Sequence, residues 1–157
     1  MQKKIITPLV ALERVRKYCA YQERCHADVR QKLRELDVDS EHTEAIIAQV
    51  IDEGFLNEER FAIAYSRGKF RIKHWGKLKI RQALKMRQIS EYCIKKALVE
   101  IDMEEYFMVL ENLAEKKWAD EKGQHQAIRK NKVFRYLAGK GFESNLIQEV
   151  LEEVIKK

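Results

Sequence analysis

A short pattern returns three times along the chain: VRQKL at residues 29–33, IRQAL at 80–84 and VFRYL at 133–137. Each copy places a β-branched residue four positions before a leucine, and five positions past that leucine stands another apolar residue, Val38, Ile89 or Phe142. The second and third copies then stay in step, Ile94 with Ile147, Ala97 with Val150 and Leu98 with Leu151. The first copy joins the same register at Ile47, Val50 and Ile51 after four extra residues around 39–42. Any two amphipathic helices share i, i+4 spacing by chance, but chance does not keep register across a helix junction. The repeat is about 50 residues long, which is room for three short helices. Repetition on that scale builds an array in which each unit packs mainly on its neighbours. The expected fold is therefore all-α: tandem three-helix repeats forming an elongated, curved array. It is read as a single repeat domain, 1–157, with approximate units 8–72, 73–120 and 121–157.

Local signals agree with helices throughout. Pro8 is the one proline in 157 residues and there are six glycines, so little interrupts helical structure. Thr7-Pro8 reads as a cap followed by proline in the first turn, opening a helix to about residue 22. Further helices are expected near 26–36, 41–53, 58–72, 77–87, 91–100, 103–119, 125–138 and 144–155. The stretch GFLNEERFA, residues 54–62, specifies a tight corner between two of them. Before it, Ile46, Ile47, Val50 and Ile51 form a core-facing stripe. Gly54 supplies a left-handed stop, Asn57 an N-cap, and Glu58 and Glu59 negative charge at the start of the next helix. Leu56 and Phe61 have the spacing of a hydrophobic staple, and Phe61, Tyr65 and Ile72 form the next expected stripe.

Charge is segregated rather than mixed. The formal net charge is +6. Residues 67–90 carry nine basic side chains and no acid: Arg67, Lys69, Arg71, Lys73, Lys77, Lys79, Arg81, Lys85 and Arg87. Residues 122–142 carry six more without an acid, among them Arg129, Lys130, Lys132 and Arg135, whereas 97–115 hold six acids and no base. Two acid-free segments at matching repeat positions favour a binding face for a polyanionic or acidic partner over simple solubilisation. Lys77, Arg81 and Lys85 follow at i, i+4 and i+8, so they form one ridge beside the buried Ile80 and Leu84.

Catalytic and metal chemistry find no footing. There is no Gly-rich phosphate loop and no H-E-x-x-H pattern. The histidines, His26, His42, His74 and His125, are scattered in polar settings. Cys19, Cys25 and Cys93 are odd in number and lack C-x-x-C spacing, so neither a disulfide framework nor a zinc site is expected. No run is apolar enough for a membrane span, and the chain does not open on a basic-then-apolar leader. The reading is a cytoplasmic, monomeric, non-enzymatic protein without cofactor, metal or membrane contact.

The corner GFLNEERFA followed by WGKLKIRQAL resembles the signature of the RecX family, regulators of the RecA recombinase. The matching positions are Gly54, Leu56, Asn57, Glu58, Phe61, Ala62, Gly76, Lys77, Ile80 and Leu84. The segment KVFRYLAGKGFESNLIQEVL is similar to the family's last repeat through Leu137, Gly141, Phe142 and Ile147. The likeness spans about residues 10–155. Asn57 stands where aspartate is commoner, and Cys25 where a helix-starting serine is common. The resemblance implies tandem three-helix units that bind RecA and lodge in the groove of the RecA–DNA filament. There the protein would limit filament growth, ATP hydrolysis and strand exchange. The residue-level reading also supports a second class, a helical-repeat protein that binds DNA directly without RecA.

Overall fold

The computed structural model describes residues 6–157; residues 1–5, the start of the expected domain, lie outside the described residues. The described chain is nine α-helices with no strand: α1 (Pro8–Tyr21), α2 (His26–Glu35), α3 (Ser40–Asp52), α4 (Glu58–Lys73), α5 (Lys77–Met86), α6 (Glu91–Val99), α7 (Met103–Asp120), α8 (Gln126–Gly139) and α9 (Ser144–Lys156). Five of them start on a side-chain cap. Thr7, Asp39, Asn57, Ser90 and Asp102 each accept a backbone N–H three residues on, which satisfies one of the donors a helix start leaves open. Cys25, at the start of α2, is capped from the other direction, its N–H donating to the Asp28 carboxylate at 3.0 Å.

The apolar residue five positions past each repeated leucine has a backbone reason. In all three copies its N–H donates to that leucine's carbonyl: Val38 to Leu33 at 3.0 Å, Ile89 to Leu84 at 3.1 Å and Phe142 to Leu137 at 3.2 Å. The residue before it is left-handed each time, Asp37, Gln88 and Gly141 at φ 56°, 62° and 98°. That is the six-to-one bond and αL turn of a Schellman ending, in which the apolar residue folds back onto the helix it closes. Gly54 (φ 81°) makes the same ending for α3, with Phe55 N–H donating to the Val50 carbonyl at 2.9 Å. The repeat is therefore a recurring helix terminus as well as a recurring core stripe.

The repeated pentapeptide lies in the middle helix of each triplet, α2, α5 and α8. The main helix pairings join α1 to α3, α4 to α6 and α7 to α9, each triplet closing on itself. Unit borders accordingly fall at the α3–α4 and α6–α7 corners, not at 72/73 and 120/121. A period read from sequence sets the spacing of units and leaves their phase to packing. Two buried apolar clusters result. One gathers Ala11, Leu12, Val15, Val29, Leu33, Ile46, Ile47, Val50 and Leu56 from the first unit. The other runs continuously through the second and third units, from Phe61 and Phe70 through Tyr106 to Phe142 and Val154, and takes in Cys25 from the first.

Three sequence expectations change here. Leu56 and Phe61 are both buried, but in different clusters, so they do not staple one another. Their corner is a unit border: Leu56 closes the first core and Phe61 opens the second. Ile51 is 41% exposed and Ile72 is 76% exposed, so both leave the stripes assigned to them. Short helices in a narrow array bury one side only, and the flanking positions face outward. The accessible surface, 10261 Å², exceeds the roughly 8,300 Å² of a compact monomer of this mass, as an extended array requires.

Candidate polyanion-binding site at a repeat junction

The second and third units meet where the α4–α5 corner abuts the α8–α9 corner. Helix α4 stops because His74 turns left-handed (φ 56°), and its N–H donates to the Phe70 carbonyl at 3.0 Å. Trp75 follows, half-buried, and Gly76 starts α5. The backbones then touch directly: Gly76 N–H donates to the Lys140 carbonyl at 2.8 Å and Leu78 N–H to the Gly141 carbonyl at 3.0 Å. A Cβ on Gly76 would come closer than 3.0 Å to Gly141 and Phe142 backbone atoms, so only glycine permits this approach. Beneath the seam, the Lys77 N–H donates to the Tyr106 hydroxyl at 3.0 Å, and that hydroxyl donates to the Glu143 carboxylate. Tyr106 is fully buried between Phe70 and Phe142, at ring distances of 5.7 and 5.2 Å. Burial and the Glu143 carboxylate both push its phenol above the ordinary range.

Four lysines crowd this seam. The Lys69 and Lys79 ammoniums lie 4.9 and 4.6 Å from the Trp75 ring centre, within cation–π range. The Lys140 ammonium reaches across the junction to donate to the Lys73 carbonyl at 2.8 Å. Burial, then the charges of Lys79 and Lys73, hold the Lys140 ammonium below its ordinary pKa. Among the described residues, none of the four has a carboxylate within ion-pair range. Uncompensated positive charge beside an indole is suited to phosphate oxygens.

The structure divides the remaining sequence candidates. The Lys77–Arg81–Lys85 ridge exists, but Arg81 is ion-paired with Glu91, and Lys85 lies 3.8 Å from the same carboxylate. Lys77 lies over the Tyr106 ring, 5.1 Å from its centre. Arg71 approaches Glu105 at 3.5 Å, and Arg67 lines a small pocket with Glu100, Asp102 and Glu105. Arg87 bridges to Asp28 of the first unit at 3.3 Å and stacks over Tyr65. In the third unit Arg129 is a fastener: it donates twice to the Trp118 carbonyl, at 2.8 and 2.7 Å, and covers that indole. Lys132 faces Glu121 at 3.6 Å, Lys130 lines the open α8–α9 groove, and Arg135 is exposed. Among the basic residues nominated from sequence, Lys69, Lys73 and Lys79 share the junction. Lys140 joins them and was not singled out from sequence; its signal was the acid-free run 122–142. The partner Glu91 lies one residue beyond the acid-free run 67–90, so the run itself does not reveal that Arg81 and Lys85 are compensated.

Fold and site together define a tandem three-helix repeat protein that presents a lysine-rich junction. Residues 57–98 match the model of the RecX second three-helix domain, and residues 104–151 that of the third, together more than half of the chain. The chain belongs to the RecX family. Among curated relatives named regulatory protein RecX, that of Limosilactobacillus reuteri is 30% identical over 92% of this chain and 55% of its own length. The chain thus spans about half of that relative. The one from Prosthecochloris aestuarii is 28% identical over 92% of this chain and 93% of its own. A crystal structure of regulatory protein RecX superposes with a TM-score of 0.84 at 28% identity, covering 92% of this chain and 71% of the other. RecX from Lactobacillus salivarius superposes with a TM-score of 0.86 at 24% identity over 96% and 97%, a likeness of fold. Among the described residues, no helix is long and apolar enough to cross a membrane.

Proposed function

We propose that this protein, acting as a cytoplasmic monomer, binds RecA and the RecA–DNA filament and limits recombinase, ATPase and strand-exchange activity. Membership of a family of regulatory proteins supports the regulatory role. The observation that carries the choice of a nucleoprotein partner is the lysine junction, in which Lys69, Lys73, Lys79 and Lys140 gather on one side of an extended array without paired acids. Such a surface meets a filament's phosphates or acidic side chains, and an elongated array presents it along a groove better than a sphere does. Of the basic side chains nominated from sequence outside the junction, the exposed Lys130 and Arg135 act in this reading as steering charges. The test is RecA-driven strand exchange with this protein titrated in. Yield and ATP turnover should fall as its concentration rises, and unchanged activity at a large excess would overturn the reading. The second reading, direct DNA binding without RecA, is favoured by the same lysines and separates from the first by affinity for bare DNA.

A further inference from the structure

The two junctions of this array bring equivalent repeat positions together but charge them differently, and the backbone hydrogen bonds across the second have no counterpart at the first among the described residues. At the first, the third residue of α2, Asp28, pairs with the C-cap residue of α5, Arg87. At the second, the third residue of α5 is Lys79 and the C-cap residue of α8 is Lys140. Repeat equivalence therefore puts two ammoniums where the preceding junction has an ion pair. The backbones approach so closely there that a Cβ on Gly141 would collide with the Lys79 backbone and Cβ. The two lysines thus cannot move their main chains apart without breaking the Gly76–Lys140 and Leu78–Gly141 hydrogen bonds. Burial, then the charges of Lys79 and Lys73, disfavour the ammonium form at Lys140.

We propose that the junction between the second and third units is a phosphate-binding site, in which an external phosphate bridges Lys79 and Lys140 and takes the place of the missing carboxylate. Lys69, which lies over the Trp75 ring as Lys79 does, and Lys73 extend the site along α4. Four ammoniums exceed what one phosphate neutralises, so the backbone of a single-stranded nucleic acid is the occupant, with successive phosphates along the lysines and a base free to lie against the indole edge. Bound in this way, the strand ties two units together that otherwise repel at this point. The site is complete without RecA, so its test leaves RecA out and stands or falls separately from the strand-exchange assay.

The deciding variant is Lys79→Asp. It rebuilds at the second junction the acid–base pair of the first, and it places an acid in the first turn of α5, where the helix dipole favours one. Affinity for a fluorescein-labelled oligodeoxythymidine is measured by anisotropy across a salt series, and the melting temperature by circular dichroism. Wild-type protein should bind the oligonucleotide with strong salt dependence. Lys79→Asp should bind at least about tenfold more weakly, with a salt slope shallower by roughly 0.7 for each phosphate that is no longer neutralised. It should melt at or above the wild-type temperature. Lys116→Glu, an equal charge change on exposed α7, should bind as wild type does. Inorganic phosphate is the second arm: it should raise the wild-type melting temperature only at high concentration. Wild-type affinity in Lys79→Asp overturns the site. An equal loss in Lys116→Glu reduces it to net charge and also overturns it. Saturation of the junction by inorganic phosphate, with no gain from the oligonucleotide, overturns the nucleic-acid assignment.

Discussion

Gly76→Ala tests whether the repeat junction is held by direct backbone contact. The added methyl falls on the Gly141 carbonyl carbon and oxygen and the Phe142 nitrogen, all backbone atoms that no rotamer change can move. The α8–α9 corner must retreat, and with it go the Gly76–Lys140 and Leu78–Gly141 hydrogen bonds of 2.8 and 3.0 Å. Two net hydrogen bonds are worth about 1–3 kcal/mol together, and forced separation of a packed seam costs about 1–3 kcal/mol more. Alanine is also a poorer N-cap than glycine. The variant should lose roughly 3 kcal/mol or more, a fall of about 6–12 °C in Tm for a chain of this size. Gly68→Ala is the control. Gly68 lies mid-helix in α4 with open space around it, so alanine there should stabilise by about 0.5–1 kcal/mol. Thermal melts of both, followed by circular dichroism, decide the matter. A Gly76→Ala protein that melts with wild type would mean the two units do not meet as described.

Other expectations follow the same logic. Phe61→Ala empties a buried position against Tyr65 and should cost about 3–5 kcal/mol by urea denaturation; an unchanged midpoint would contradict its burial. Tyr106→Phe keeps the ring packing with Phe70 and Phe142 but strands the Lys77 N–H and the Glu143 carboxylate. It should cost about 1–3 kcal/mol, far less than Tyr106→Ala, and equal losses in the two would refute the hydroxyl's role. His42 Nδ1 lies 2.7 Å from the Asp39 carboxylate, and that hydrogen bond raises the His42 pKa, while the His42 backbone N–H lowers that of Asp39. The His42 contribution is complete below its unfolded pKa and fades as pH rises through the raised folded value. The Asp39 contribution is complete above its unfolded pKa and fades as pH falls through the lowered one. An NMR titration should show the His42 midpoint dropping in Asp39→Asn, which keeps the cap but removes the charge.

Helix content was legible because its causes are local. Thr7, Asn57, Ser90 and Asp102 cap within three residues, and Gly54 ends α3 through its own conformation. The repeat was legible because each second helix must bury the same stripe and close on the same left-handed turn. The family signature was legible for the same reason, since its positions are caps, turns and core residues. Only the tertiary structure decided the phase of the units, because periodicity says how far apart equivalent helices lie and not which neighbours share a core. Only it showed that Leu56 and Phe61 face different cores, and that Ile51 and Ile72 face outward. The basic run from Arg67 to Arg87 read as one surface, yet folding sent Arg81 and Lys85 to Glu91, Arg87 to Asp28 and Arg71 to Glu105. Electrostatic character depends on distances of a few ångströms between residues far apart in the chain. Lys140 joined Lys73 and Lys79 for that reason alone: two backbones meet at glycines, and the charges they carry arrive together.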